Sequence, residues 1–376
     1  MNIMKAIIQH IKIFILWVII LLSSCVETYD FEVEDVSPTL VIESYLSNIS
    51  YNESLSWPSS GRFFSVKLSL TSNVASVHNS LIDNALITLR DDLGNTWAYY
   101  RYKPGLYILP ELDFKAEQGR SYQLRVVLSD ESIYESEWQE IPTFSSLDVG
   151  EISFIEDEEI TYVWEANDKV VGSLNGVRVY VQVPDNAQND KRYYRWEYEP
   201  MWQYTAPEAS SSEEGYRCWV RSDTYLSDYS LLLDQNGGYK KEMFFIPIEG
   251  NNRVYELFTV LISQQQLSKD HFYFWELMKE QSSPNGIFDG PPTNLPANFT
   301  CLNNDKKVIG YFGIVNESVK RWYFDINDLS YDVFNDNLYQ CQIDYGPPAG
   351  PTECEVCLLN SKGDATNIRP WWWPNE

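Results

Sequence analysis

Histidine is scarce in this chain, three in 376 residues, and only His78 and His271 lie beyond the N-terminal stretch. Two separated imidazoles cannot build a multi-histidine zinc site. Neither sits beside a Gly-x-Ser-x-Gly elbow or a nucleophile placed by motif, so both read as structural or surface residues. A glycine-rich phosphate loop is lacking as well. Basic residues are few, 28 against 54 acids, for a formal charge of −26. Such a surface is repelled by phosphate backbones, which argues against nucleic acid as a partner. Long apolar runs are also missing. The run Ile13 to Leu22 is about half of the ~20 residues that a helix needs to cross a bilayer.

That run follows Lys5 and Lys12, with no acid before it, and stops at Leu22-Ser-Ser-Cys25. A charged start, a short apolar centre and small residues at the end describe a secretory signal over residues 1–24. The ending resembles the lipobox of bacterial lipoproteins, which implies that Cys25 is lipidated and that attachment rests on acyl chains, at ~0.8 kcal/mol per buried methylene. The alternatives are an ordinary signal with a chance cysteine and an uncleaved anchor. Loss of the two lysines takes the formal charge to −28, 26 basic residues against 54 acidic. Residues 25–38 form an acidic tether carrying Glu27, Asp30, Glu32, Glu34 and Asp35. It resembles the signal that sends Bacteroidota lipoproteins to the cell surface, and it equally suits a plain charged linker.

Five further cysteines, Cys218, Cys301, Cys341, Cys354 and Cys357, all fall in the second half. An exported chain meets an oxidising compartment, so one or two disulfides stapling that half are the leading expectation, with one thiol left over. Cys354-Glu-Val-Cys357 has the spacing of a redox pair or half a zinc site. A redox pair needs a strand-to-helix setting, whereas the flanking Gly346-Pro-Pro-Ala-Gly-Pro351 is a turn-rich loop.

With 44% hydrophobic and 22% charged residues the chain is globular, and about 350 residues after the signal suit two domains. Leu40 to Leu46, Phe64 to Thr71, Ala85 to Arg90, Thr96 to Tyr102, Leu106 to Leu109, Tyr122 to Leu128 and Tyr134 to Ile141 read as short strands. Several alternate at period two, and turn residues stand between them. The fold class is therefore mainly β, with an immunoglobulin-like β-sandwich over residues 39–145. A larger β-rich domain, 146–376, opens with a strand at Glu151 to Ile155 and an acidic turn at Glu156 to Glu159. Val177 to Val183 and Arg192 to Tyr198 follow as a strand pair, and Val308 to Ile314 and Val319 to Phe324 as two later strands. One prominent helix is expected near 268–281. Ser268 caps it, Asp270 complements its positive end, and Phe272, Phe274, Trp275, Leu277 and Met278 fill the next turns.

Aromatics are the one chemical excess, 13 Trp, 26 Tyr and 17 Phe. Most suit cross-strand pairs and core. Two clusters are candidate interface aromatics: Tyr193, Tyr194, Trp196, Tyr198 and Trp202, and the terminal Trp371, Trp372 and Trp373. Three consecutive tryptophans cannot all enter one core from a strand, so the terminal set either meets a partner or straps the second domain. Carboxylate pairs for glycan hydrolysis are spatial and unreadable among 54 acids. Asp325-Ile-Asn-Asp328 and Asp332 to Asn337 are oxygen-rich but fit no twelve-residue calcium loop, and read as solvated turns.

The order of segments resembles a Bacteroidota lipoprotein family known as domain of unknown function 4249. It is carried by the lipobox, Leu40-Val-Ile-Glu, Ala85 to Gly94, Gly119-Arg-Ser-Tyr122, Tyr193-Tyr-Arg, Phe272 to Met278, Gly286-Ile-Phe-Asp, Val308-Ile-Gly-Tyr-Phe312 and the late cysteines before Arg369-Pro-Trp. The resemblance implies an outer-membrane lipoprotein encoded beside a TonB-dependent transporter, and no assigned reaction. The expectation is a non-enzymatic accessory or binding subunit of an outer-membrane β-barrel, held in the outer membrane by lipid and facing the cell surface or the periplasm. It has no catalytic residues, no metal and no cofactor. A surface adhesive protein and a carboxylate-based glycan hydrolase are the alternatives.

Overall fold

The computed structural model of the chain describes residues 38–71, 80–142, 148–165, 168–282, 296–344 and 351–375. The signal, Cys25, the tether up to residue 37, His78 and the Gly286-Ile-Phe-Asp loop lie outside these residues. The first half holds β1 (Leu40–Ser47), α1 (Tyr51–Ser54), β2 (Ser65–Leu70), β3 (Ser80–Leu81), β4 (Leu86–Asp91), β5 (Thr96–Lys103), β6 (Leu106–Ile108), β7 (Ser121–Val127), β8 (Ile133–Ser136) and β9 (Gln139–Glu140). Then come β10 (Ile152–Glu165), β11 (Asp168–Gln182), β12 (Arg192–Thr205), β13 (Arg217–Arg221), β14 (Ser230–Asp234), β15 (Lys240–Pro247), β16 (Phe258–Gln266), α2 (Lys269–Ser282), β17 (Phe299–Cys301), β18 (Val308–Phe324), α3 (Asn337–Asp344) and β19 (Asp364–Thr366). The protein is mainly β with one prominent helix, α2.

Period-two alternation builds the first sandwich. Ile42, Val66, Leu68 and Tyr107 point inward from one side, and Leu89, Leu124, Val126 and Tyr134 meet them from the other. β5 turns the corner, pairing with β4 through Trp97 and Tyr99 and with β6 through Tyr100 and Arg101. α1, which no apolar period announces, is closed by a capping box between Ser50 and Glu53.

The first core is completed from far along the chain. β1 pairs in parallel with β18, from Leu40–Val308 to Ser47–Val315, and β17 pairs with β8. Phe299, Phe312 and Ile314 are buried in the same core as Ile42 and Leu124. Chain order suggests a boundary near residue 145, but this core draws on both sides of it, because a parallel partner for β1 has to return from a distant segment.

β18 is a single strand of 17 residues rather than two short ones. Its far end reaches a second core, where β10, β11 and β15 form a three-stranded sheet. There Val177, Val179, Val181 and Ile246 pack with Trp196, Trp202, Val260, Ile262 and Phe324. The acidic turn expected at Glu156 to Glu159 is absent, since β10 continues through it to Glu165. Acids are depleted in strands, but Arg178 across the ladder meets Asp157 and Glu159.

Two disulfides staple the second half. Cys218 of β13 bonds to Cys357, and Cys341 of α3 bonds to Cys354, with Cα atoms 5.6 and 5.9 Å apart. The cysteines of the C-x-x-C motif thus go to different partners and act as two structural ends. Cys301 remains a thiol. After alkylation without reduction, peptide mapping should recover Cys218–Cys357 and Cys341–Cys354, with the alkyl group on Cys301. Replacing Cys218 and Cys357 together by serine should cost ~2–5 kcal/mol in urea unfolding; an unchanged midpoint would remove the stapling role.

Candidate functional site

β12, β16 and β18 lie side by side, and alternate residues of each enter the second core. The residues between them face the other way. The register sets them in three rows: Arg195, Gln265 and Glu317; then Glu197, Ser263 and Val319; then Glu199, Leu261 and Arg321. Six of these nine side chains can be charged or amide-bearing, an unusual content for strands in the middle of a sheet.

Each charge has a partner. The Glu317 side chain is fully buried, at 0% exposure, and accepts hydrogen bonds from Arg62 and from Ser263 Oγ. Its backbone N–H donates to Asn48 Oδ1 at 2.7 Å. Arg195 pairs with Glu197 at 2.7 Å and donates to Gln265 Oε1 at 3.0 Å, while Gln265 Nε2 donates to the second Glu197 oxygen at 2.9 Å. Arg321 donates to the Pro58 carbonyl at 2.6 Å and pairs with Glu199 at 3.2 Å; burial lowers its pKa to about 10. Removing Arg62 would strand the buried Glu317 carboxylate, at up to ~3–5 kcal/mol.

Aromatic rings close the band from above. The Arg195 guanidinium lies 3.7 Å from the ring centre of Trp275 and 4.8 Å from that of Tyr229, two rings that meet edge-on. Arg321 lies 3.9 Å from the Trp372 ring centre. A guanidinium suits both contacts because it stacks through its face and donates in its plane.

α2 is set down on this face by its own sequence. Ser268 Oγ accepts from the His271 N–H at 3.3 Å, as the capping pattern predicts. Phe272 packs on Tyr193, and His271 stacks on Tyr311 with ring centres 4.8 Å apart. The close approach requires Gly313 of β18, where a Cβ would stand 2.2 Å from the His271 ring. His271 Nε2 accepts from Trp275 Nε1 at 2.9 Å. Burial first, and the Arg195 charge second, push its pKa down to about 3. At neutral pH it is an uncharged spacer with its acceptor nitrogen occupied, not a general base.

Two depressions flank the Arg195–Glu197 pair. The larger, about 540 Å³, lies between α2 and the outer face of β1 and β18, with walls of Phe274, Trp275, Met278, Ile309 and Tyr311. The exposed pair Lys67–Glu43, at 3.2 Å, stands on its border. The smaller, about 270 Å³, is bounded by Glu199, Asp223, Asp228 and Tyr229. Apolar walls with a few fixed polar groups are the composition of a ligand pocket.

The candidate interface aromatics of β12 are corrected by this geometry. Tyr194, Trp196 and Trp202 are fully enclosed in the second core, Tyr193 is buried under α2, and the Tyr198 hydroxyl donates to Ser230 Oγ. None of these five rings is exposed for a partner. The terminal tryptophans divide. Trp373 is buried with Trp219 and Met201, Trp372 lies on Arg321, and Trp371 is 69% exposed. Asp325 and Asp328 close a capping box, and Asp336 accepts from the Tyr255 hydroxyl, so both oxygen-rich stretches serve turns. Sequence reading missed Arg62, Arg195, Glu197, Glu317 and Arg321. The available signal was charge at period two within aromatic strands, Arg195-x-Glu197-x-Glu199.

The depressed His271 value fixes a pH dependence. Its unfolded value lies near 6.5, above the folded one, so the unfolded chain takes up the proton first as pH falls. The stability that depends on the neutral ring is complete above about pH 7 and is lost as pH drops through 6.5 toward 3, by up to ~1.4 kcal/mol per unit. Urea unfolding should therefore weaken by about 2 kcal/mol between pH 7 and pH 5, and His271→Gln should flatten that slope. The same slope in both proteins would refute the buried neutral ring.

None of the curated proteins compared with this chain matches it. A solved structure described as "Biofilm associated protein - BSP domain" is 8% identical over 61% of this chain and 56% of its own length, with a TM-score of 0.16. The chain spans little more than half of that protein, and a likeness at that level carries no inference. Among the described residues no helix is long and apolar enough to cross a membrane. Residues 26–321 match the family model described as "Domain of unknown function (DUF4249)", and by that match, over most of its length, the chain belongs to the DUF4249 family.

Proposed function

We propose that the protein is a lipid-anchored, non-catalytic accessory subunit of an outer-membrane β-barrel, in particular a TonB-dependent transporter, and that the cleft under α2 receives a ligand or cargo. The observation that carries the binding part is the cleft itself. Its volume of about 540 Å³ falls in the ~300–1,000 Å³ range of small-molecule sites. Arg195, Glu197 and Gln265 on its floor are tied to one another, which gives a ligand a fixed polar setting. The membrane part is supported by Leu22-Ser-Ser-Cys25. From a lipidated Cys25 to Leu40 the tether spans at most ~50 Å fully extended, so the folded body stays close to the bilayer that holds it, and a partner in the same membrane is within reach.

Glu197 and Glu199, which both face the smaller depression, favour a second reading as a glycan hydrolase. That chemistry needs one carboxyl group to deliver a proton, and both of these are held by arginines. Release of reducing sugar that disappears in Glu197→Gln would establish it.

The accessory reading is tested by capturing tagged, lipidated protein from detergent-solubilised outer membranes, with Cys25→Ser as the unanchored control. A single β-barrel in stoichiometric amount with the wild type, lost with the control, is the expected result. No barrel, or equal recovery with both, would sink the transporter partnership.

A further inference from the structure

β10 and β11 pair along their whole length, from Ile152–Val181 to Glu165–Asp168. The third strand, β15, accompanies β11 only between Gln182 and Gly176. Beyond that point eight cross-strand pairs, Glu158–Asn175 to Glu165–Asp168, continue with no further strand beside them among the described residues. A two-stranded ribbon of this kind is marginal in water by itself.

Alternation shows what the ribbon presents. Ile152, Phe154, Val177, Val179 and Val181 occupy one face at its base, packed on the second core. The same face carries Ile160, Tyr162 and Val171 further out. These three are 78%, 65% and 67% exposed. The core-facing side of the ribbon thus runs past the edge of the core, and among the described residues its outer apolar side chains stay exposed. Residues 156–175 also hold six acids and one basic residue, Lys169, which lies over the Tyr162 ring. Arg178 at the base meets Asp157 and Glu242 at 2.7 Å each and Glu159 at 3.8 Å, so one cation serves three carboxylates.

We propose that this ribbon is a docking arm whose occupant is a protein surface with an apolar patch bordered by lysine or arginine. Charge selects that occupant. A second copy would bring six more acids to the same place, and anionic lipid headgroups would be repelled in the same way, whereas a basic border is attracted and an apolar centre covers Ile160, Tyr162 and Val171. The proposal rests on the accessory reading and sharpens it by naming the surface through which the partner is held.

The test places a photo-cross-linking residue at Tyr162, or at Leu93, a control that is 72% exposed on the β4–β5 turn, in the full lipidated chain in its own cells. Cross-linked peptides are then sequenced. Position 162 should join one partner segment that combines apolar residues with lysine or arginine, with a yield several-fold above that at position 93 and falling several-fold as salt is raised. A cross-link to a second copy of the chain, to lipid alone, or equally from position 93 overturns the arm. In the membrane capture, the combined Ile160→Ser, Tyr162→Ser, Val171→Ser variant should retain its thermal midpoint and lose the barrel by at least about tenfold. Undiminished barrel recovery overturns the arm and leaves the accessory reading intact. A basic cross-linked partner that is not a barrel keeps the arm and removes the accessory reading.

Discussion

The parallel pairing of β1 with β18 is the constraint on which the rest of this protein depends. It joins Leu40 to Val308 and Ser47 to Val315, closing a loop of some 270 residues at an entropic cost of about 5 kcal/mol in the simplest chain model. The pairing is offset locally, because Ile42, Leu46, Phe312 and Ile314 are almost wholly buried where the strands meet, each contributing ~1.5–3 kcal/mol. Without it the first sandwich lacks a strand and the second loses the continuation that carries Phe324 into its core.

One strand serving two cores also explains where the polar band lies. β18 leaves the first core after Ile314 and enters the second at Trp322 and Phe324. In between, Glu317 sits on the face turned away from the second core, and Arg62, from the loop after α1, meets it there. The band is thus a product of the junction. Arginine is the suitable cation throughout, since Arg195 and Arg321 have to stack under tryptophan and bind a carboxylate in the same position. α2 then closes one end of the band through Trp275 and His271, and the C-terminal Trp372 closes the other.

Much of the local architecture is legible in the sequence. The hairpin at β4 and β5, the alternating strands β2 and β7, and α2 with its Ser268 cap all follow from periodicity and turn chemistry. Elements were misread where two faces of a strand are both covered, or where charge interrupts a strand. β12 shows aromatics on consecutive positions because Tyr193 meets α2 while Tyr194 meets the core. β10 carries four successive acids and is a strand nonetheless, held by its ladder to β11 and by Arg178. The candidate site was nearly invisible, since Arg62, Arg195 and Glu317 converge from separate elements and none belongs to a motif.

By itself the sequence determined the β-rich class, the one prominent helix, the acidic surface, the family, and the concentration of the late cysteines in the second half. Each of these is a property of composition or of short-range period, which burial of one face of a strand or helix imprints directly on neighbouring residues. Only the tertiary structure decided that Cys218 meets Cys357, that β1 lies beside β18, that Trp196 is core while Trp371 faces solvent, and that three arginines gather over one sheet face. Those outcomes depend on which distant surfaces close on one another, and contact between segments hundreds of residues apart leaves no local period by which to read it.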